Sequence, residues 1–165
     1  MTSLAPQENQ VLPAFSLPAV WRENEAFVER ALSNVDFAGK PLVLFFYPKD
    51  ATCGCTVEVC GFRDLHSQFQ SLGVSIAGCS RDTIGAHKRF IQSQSLPFPL
   101  LSDKDRAVAR QWNLLVHKTM YGKPVTGTSR DTFLVDADGK VRRIMKKITP
   151  LGHAQEVLQA ARDLF

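Results

Sequence analysis

The chain has 165 residues, 44% of them AVILMFWYC and 22% DEKR, which suits one folded domain with a buried core and rules out the polar, highly charged profile of disorder. The net charge of +4 comes from 20 cations and 16 anions spread along the sequence, an arrangement that argues against nucleic-acid binding. No run approaches the ~18 apolar residues of a membrane-spanning helix, and residues 1–10 lack the basic-then-apolar layout of a secretory leader. The expectation is a cytoplasmic protein with no membrane partner, folded as a single domain over residues 1–165.

Pro6, Pro13 and Pro18 punctuate residues 1–40 among short apolar pieces such as Ala14-Phe15-Ser16-Leu17, predicting an extended arm or hairpin that leads into the domain. Within it, residues 23–32 could form one or two helical turns. Pro41 and Pro48 then bound Leu42-Val43-Leu44-Phe45-Phe46-Tyr47, an unbroken apolar run of strand length that reads as a strand buried on both faces. After a turn over residues 48–54, Val57, Val59, Cys60, Phe62, Leu65, Phe69 and Leu72 recur mostly at three- and four-residue steps, predicting a helix from Cys55 to Gly73. A second buried strand follows over residues 74–79. Asp82 is placed to cap a helix running to about Ser95, residues 96–101 form a short extended segment, and Ser102 or Asp103 opens a short helix through Trp112. Residues 113–130, with Gly122, Pro124 and Gly127, read as a long polar connection. Thr132 to Asp136, the Asp138-Gly139 turn and residues 141–148 give a hairpin. Thr149-Pro150 starts a closing helix whose buried stripe draws on Leu151, Val157, Leu158 and Phe165. This order predicts an α/β protein with a mixed central sheet, helices on both faces and right-handed crossovers, which fits a thioredoxin-like fold.

Three of the four cysteines lie inside residues 53–60, and a chain without an export signal has little use for a disulfide framework. Cys55 falls where a strand hands over to a helix, and the unpaired N–H groups and dipole of a helix start favour an anion there. The thiolate is the nucleophilic form of cysteine, and such a position can lower a thiol pKa. A buried, inert cysteine is the bland alternative, and it suits the Thr52-Cys53-Gly54-Cys55-Thr56 turn poorly. Structural zinc sites pair two cysteine knuckles, whereas Cys53, Cys55 and Cys60 have no second pair and His66, His87, His117 and His153 are scattered; no metal is expected. Cys79 reads as a packing residue of its strand. The cations of residues 140–147 alternate with Val141, Ile144, Met145 and Ile148 and read as a solvated sheet edge, not a polyanion site.

Pro48-Lys49-Asp50-Ala51-Thr52-Cys53-Gly54-Cys55 resembles the Pro-x-x-x-Thr-x-x-Cys signature of the peroxiredoxins, which are thiol peroxidases. The fuller run from Phe46 to Cys60 is similar to the peroxiredoxin Q, or bacterioferritin comigratory protein, subfamily. The likeness continues in Leu96-Pro97-Phe98-Pro99-Leu100-Leu101-Ser102-Asp103, in Met120-Tyr121-Gly122-Lys123 and in Arg130 to Asp136, and it covers about residue 12 to the end. It implies that Cys55 attacks the O–O bond of hydrogen peroxide or an organic hydroperoxide and becomes a sulfenic acid. Thr52 Oγ, the N–H groups of Gly54 and Cys55, and the Arg130 guanidinium would stabilise the charge that develops on the leaving oxygen, while Pro48 shields the sulfur from water. By the same resemblance Cys60 resolves the sulfenic acid as an intramolecular disulfide, and thioredoxin or a similar dithiol protein reduces it. No cofactor is implied, because sulfur carries both electrons, and a monomer is expected.

Cys53 departs from the pattern, since the family commonly has proline there, in Thr-Pro-Gly-Cys. Apart from the family, Thr52 is a turn or capping hydroxyl, Arg130 a surface cation pairing with Asp131, and Cys60 a small apolar residue on the inner helix face. Residues five apart on an ideal helix have Cα atoms about 8–9 Å apart, beyond the ~7 Å that a disulfide spans. Resolution by Cys60 therefore requires the first helical turns to unwind. Two other functions compete: a disulfide oxidoreductase, which normally carries Cys-x-x-Cys, and a redox-sensing or chaperone-like binding protein whose surface changes on oxidation.

Overall fold

A computed structural model describes residues 4–165; the first three residues of the expected N-terminal arm and of the 1–165 domain lie outside the described residues. The central sheet has seven strands: β1 (Ser16–Glu23), β2 (Ala26–Ser33), β3 (Leu42–Phe46), β4 (Ser75–Ser80), β5 (Leu100–Ser102), β8 (Thr132–Val135) and β9 (Val141–Met145). Their order is β2-β1-β5-β4-β3-β8-β9. β3, β4 and β5 run parallel, while β1 and β8 join this parallel trio antiparallel from its two sides. Among the described residues there are also a short 3-10 helix (Asn34–Phe37) and five α-helices: α1 (Cys53–Asp64), α2 (His66–Ser71), α3 (Ile84–Gln94), α4 (Ala107–Gln111) and α5 (His153–Leu164).

The apolar run at β3 has the predicted explanation. Val43, Phe45 and Tyr47 enter a cluster with Phe62, Phe69, Phe90 and Val157, from α1, α2, α3 and α5. Leu42, Leu44 and Phe46 face the other way, into a cluster with Leu12, Phe15, Val108 and Trp112, contributed by the N-terminal arm and by α4 and its C-terminal end. Because side chains alternate along a strand, burial on both faces demands apolar residues at every position. Phe45 stacks on Phe62 with ring centroids 4.5 Å apart, and burying each ring is worth about 2–3 kcal/mol. The stack depends on Gly78 in β4, where an added Cβ would stand 2.8 Å from the Phe45 ring and 2.9 Å from Leu100.

The structure differs from the sequence expectations in four places. Residues 23–32 are not helical: β1 and β2 form a hairpin whose two-residue turn, Asn24 and Glu25, has φ of 48° and 70°, so tertiary pairing overrides the helix-forming composition. The helix expected from Cys55 to Gly73 is two helices, broken at Leu65 with φ −101° and ψ 5°. Residues 113–130 are not an irregular connection but a separate two-stranded hairpin, β6 (Leu115–Met120) and β7 (Lys123–Thr128), turning at Tyr121 and Gly122. It is largely exposed on both faces and contains Pro124, so it lacks the alternation that announces a strand. Finally, α5 starts later than Pro150, and Leu151 is 81% exposed while Val157 and Leu158 supply the stripe. Smaller shifts concern caps: Thr83 rather than Asp82 caps α3, accepting from the Ala86 N–H at 3.2 Å.

Candidate active site

β3 ends beneath residues 48–52, which carry the chain to the start of α1. A linked set of hydrogen bonds holds this loop in place. The Tyr47 N–H donates to the Cys79 carbonyl at 3.0 Å, the Tyr47 hydroxyl to Asp50 Oδ1 at 2.6 Å, and the Asp50 N–H to Asp82 Oδ2 at 2.8 Å. Asp50 Oδ2 lies 2.6 Å from His87 Nδ1, and His87 Nε2 lies 3.0 Å from the Leu101 carbonyl. His87 is fully buried and both its nitrogens face oxygen atoms, so the imidazole ties the loop to α3 and β5, with the Asp50 carboxylate making the shorter, charge-assisted contact. Burial raises the Tyr47 hydroxyl well above its usual range, with the Asp50 carboxylate adding to the effect; Tyr47 is therefore a donor. At the apex Ala51 has φ 60°, a left-handed conformation that costs a residue with a Cβ roughly 1–2 kcal/mol.

Thr52 is the N-cap of α1 and makes no side-chain cap bond. Its hydroxyl donates to the Lys49 carbonyl at 3.0 Å, which leaves its oxygen lone pairs free to accept. Cys53 is exposed, Gly54 half-buried and Cys55 fully buried; all four cysteines are free thiols. Pro48 is half-buried at the loop's start. The first-turn N–H groups of Cys53, Gly54 and Cys55 have no intrahelical acceptor and carry the positive end of the helix dipole.

Arg130 reaches this helix start from the segment just before β8, the strand that flanks β3. The Phe46 N–H donates to the Asp131 carbonyl at 2.8 Å, which sets Arg130 at the C-terminal end of β3. Its guanidinium lies over Gly54: a Cβ there would stand 3.0 Å from Nη2. Glycine leaves room for this approach, and a side chain there would crowd the guanidinium. Arg130 does not pair with Asp131, which instead accepts from the Ser129 hydroxyl and the Lys147 N–H. Its partner is Glu58, whose Oε1 receives Nη1 at 3.0 Å.

Glu58 is the residue that the sequence reading missed. It is fully buried, its second oxygen has no partner, and burial pushes its carboxyl up to about 7 against the pull of Arg130. A signal was present, since Cys55, Glu58, Val59 and Phe62 share one helix face and an acid within an apolar stripe needs a partner.

Cys60 stands farther along α1, half-buried, with its thiol donating to Gln94 Oε1 at 3.2 Å. Burial raises its thiol above the usual range. In this state the structure brings Thr52, Gly54, Cys55 and Arg130 together but leaves Cys60 five helical positions away from Cys55. Cys79 is fully buried in the opposite core cluster, as a packing residue is. His153, beneath α1, has Nε2 2.8 Å from the Thr132 hydroxyl and an unpartnered Nδ1, and burial lowers it to about 4. Among the described residues no group of three or more His, Cys, Asp and Glu side chains could hold a metal ion, and no helix is long and apolar enough to cross a membrane.

Comparison with known proteins agrees with this geometry. Residues 9–144 match the family model described as AhpC/TSA. The chain is 44% identical to a putative peroxiredoxin bcp of Coxiella burnetii over 149 residues, 90% of this chain and 94% of the relative. Among solved structures it superposes on Xanthomonas campestris peroxiredoxin Q with a TM-score of 0.80 at 37% identity, covering 91% of this chain and 90% of the other. A second Xanthomonas campestris structure, solved to study alkyl peroxide reduction by its bacterioferritin comigratory protein, gives a TM-score of 0.79 at 36% identity and covers 90% of each chain. A mixed sheet with a cysteine at its strand-to-helix junction, matched in sequence and fold over nine-tenths of the chain, makes this protein a peroxidase of the AhpC/TSA family, in the Bcp/PrxQ group of peroxiredoxins.

Proposed function

We propose that the protein reduces hydrogen peroxide and organic hydroperoxides through Cys55, with Cys60 as the resolving thiol and a thioredoxin-type dithiol protein as the reductant. One observation carries the reading. A guanidinium and a helix N-terminus, both positive, meet at Gly54, the residue before Cys55, and two positive features brought together favour negative charge beside them.

The Cys55 thiolate bonds to one peroxide oxygen, the O–O bond breaks, and the other oxygen leaves as hydroxide or alkoxide, which takes up the proton released when the thiol ionised and becomes water or an alcohol. The charge building on that oxygen is met by Arg130 and the first-turn N–H groups, and Thr52 Oγ accepts the peroxide's own O–H. Pro48, at the loop's start, limits water at the sulfur. The sulfur, now two electrons poorer, is a sulfenic acid. The Cys60 thiol then displaces its hydroxyl as water to form the disulfide, and the external dithiol restores both thiols while becoming a disulfide itself. Organic hydroperoxides are included because the Xanthomonas campestris neighbour was studied for alkyl peroxide reduction.

Bridging Cys55 to Cys60 requires unwinding, because their Cα atoms are about 8–9 Å apart on a helix. Unwinding that far disturbs Val59, which is fully buried, at about 1.5–3 kcal/mol for the side chain alone. The test is reaction of the reduced protein with one equivalent of hydrogen peroxide. The wild type should consume it and yield a Cys55–Cys60 bridge on peptide mapping, and Cys55→Ser should consume none. Undiminished consumption by Cys55→Ser would overturn the proposal.

A further inference from the structure

Cys53 occupies the first position of α1, one glycine away from the buried Cys55. Resting on the reading of Cys55 as the residue that peroxide oxidises, we propose that Cys53 is a second resolving thiol: it captures the Cys55 sulfenic acid first, in a transient Cys53–Cys55 disulfide that is then passed to Cys60.

On a helix, residues two apart have Cα atoms about 5.4 Å apart, already inside the 4.4–6.8 Å range of disulfides. Cys55 and Cys60 are outside that range. The obstacle to a Cys53–Cys55 bond is direction, since the two side chains leave the helix about 160° apart, and it is removed by unwinding the first turn alone. No side chain caps that turn, and its leading bonds, from the Thr56 N–H and hydroxyl to the Thr52 carbonyl at 2.8 Å and 2.7 Å, lie at the helix end, where fraying begins.

Gly54 lies between the two sulfurs and, lacking a Cβ, can take the backbone conformations that a small ring requires. Apart from Cys55 itself, no buried side chain has to leave its place: Thr52 and Cys53 are exposed, and Gly54 and Thr56 half-buried. Reaching Cys60 instead means unwinding past Glu58 and Val59, both fully buried, and releasing a thiol that is donating to Gln94.

The steps balance. Cys55–SOH and Cys53–SH give the Cys53–Cys55 disulfide and water. The Cys60 thiolate then attacks the Cys55 sulfur, the strained bond breaks, and Cys53 leaves as a thiolate. The second step is an exchange without net oxidation, and strained disulfides are the labile ones. The relay shortens the lifetime of the sulfenic acid, the form exposed to further oxidation to sulfinic acid.

The test uses Cys60→Ser and the double variant Cys53→Ser/Cys60→Ser, each reduced and given one equivalent of hydrogen peroxide, with peroxide loss and intact mass read on the same sample. Cys60→Ser should lose the mass of two hydrogens and map to a Cys53–Cys55 bridge, whereas the double variant should gain one oxygen that dimedone traps at Cys55. If Cys60→Ser also gains one oxygen, with the same dimedone yield as the double variant, the relay is overturned while the peroxidase reading stands. If neither variant consumes peroxide, both fall. Acid-quenched wild type gives an independent readout: the Cys53–Cys55 bridge must appear before the Cys55–Cys60 bridge, and its absence at every earlier time overturns the relay.

Discussion

Replacing Glu58 with glutamine isolates the energetic consequence of burying a carboxyl beside the reactive turn. Burial moves the Glu58 carboxyl from 4.5 to about 7, so between these values the folded chain keeps a proton that the unfolded chain releases. Its contribution to stability is complete below about pH 4.5 and is lost as pH rises through about 7. At 1.36 kcal/mol per pH unit the swing is about 3 kcal/mol. Glu58→Gln, uncharged at every pH, has no such loss, so its stability relative to wild type should rise by about 3 kcal/mol across the window. His153 works in the opposite sense. Its imidazole is lowered from 6.5 to about 4, so its contribution is present above 6.5 and lost as pH falls through about 4. The two effects offset each other where the windows overlap, and wild-type stability alone will look nearly flat. Because both proteins contain His153, the difference between their urea-unfolding curves, measured under reducing conditions from below pH 4.5 to above pH 7, reports Glu58. Parallel stability–pH profiles would refute the argument.

Two substitutions probe the geometry around the loop. In Gly54→Ala the new Cβ, 3.0 Å from Arg130 Nη2, makes the guanidinium give by a few tenths of an ångström, and since a 1 Å misplacement can cost about 10²-fold, peroxide kcat/KM should fall by roughly fivefold; a wild-type value would remove Arg130 from the site. His87→Asn keeps an N–H donor near Asp50, whereas His87→Gln directs its amide toward the Leu101 carbonyl, so the asparagine variant should retain about tenfold more kcat/KM, as one charge-assisted bond is worth about 1.5–3 kcal/mol. Equal losses would show that the link to Asp50 does not position the loop.

Legibility in the sequence followed burial. β3 was readable because both its faces are covered, and the helix stripe of α1 because Val59 and Phe62 fall on one side. β6 and β7 were not, because neither face is covered and the pattern has nothing to report. Cys55, Thr52 and Arg130 could be named from a local motif and a resemblance. The bond between Arg130 and Glu58 joins residues 72 apart, and that between Asp50 and His87 spans 37; no local pattern encodes which charged residues a fold will bring together. The positive φ at Ala51 was equally hidden, since alanine carries no turn signature.

The two apolar clusters are separated by the sheet, and this has a mechanical consequence. Trp112 packs edge-on against Phe15, Phe46 and Phe133 at 5.7–5.9 Å on the side away from α1. That aromatic cage works as a keel: if the first turns of α1 unwind as proposed, the ballast lies in the other cluster, across the sheet from them. Under the proposed disulfide cycle, the unwound turns of α1 would have a packed surface on which to re-form.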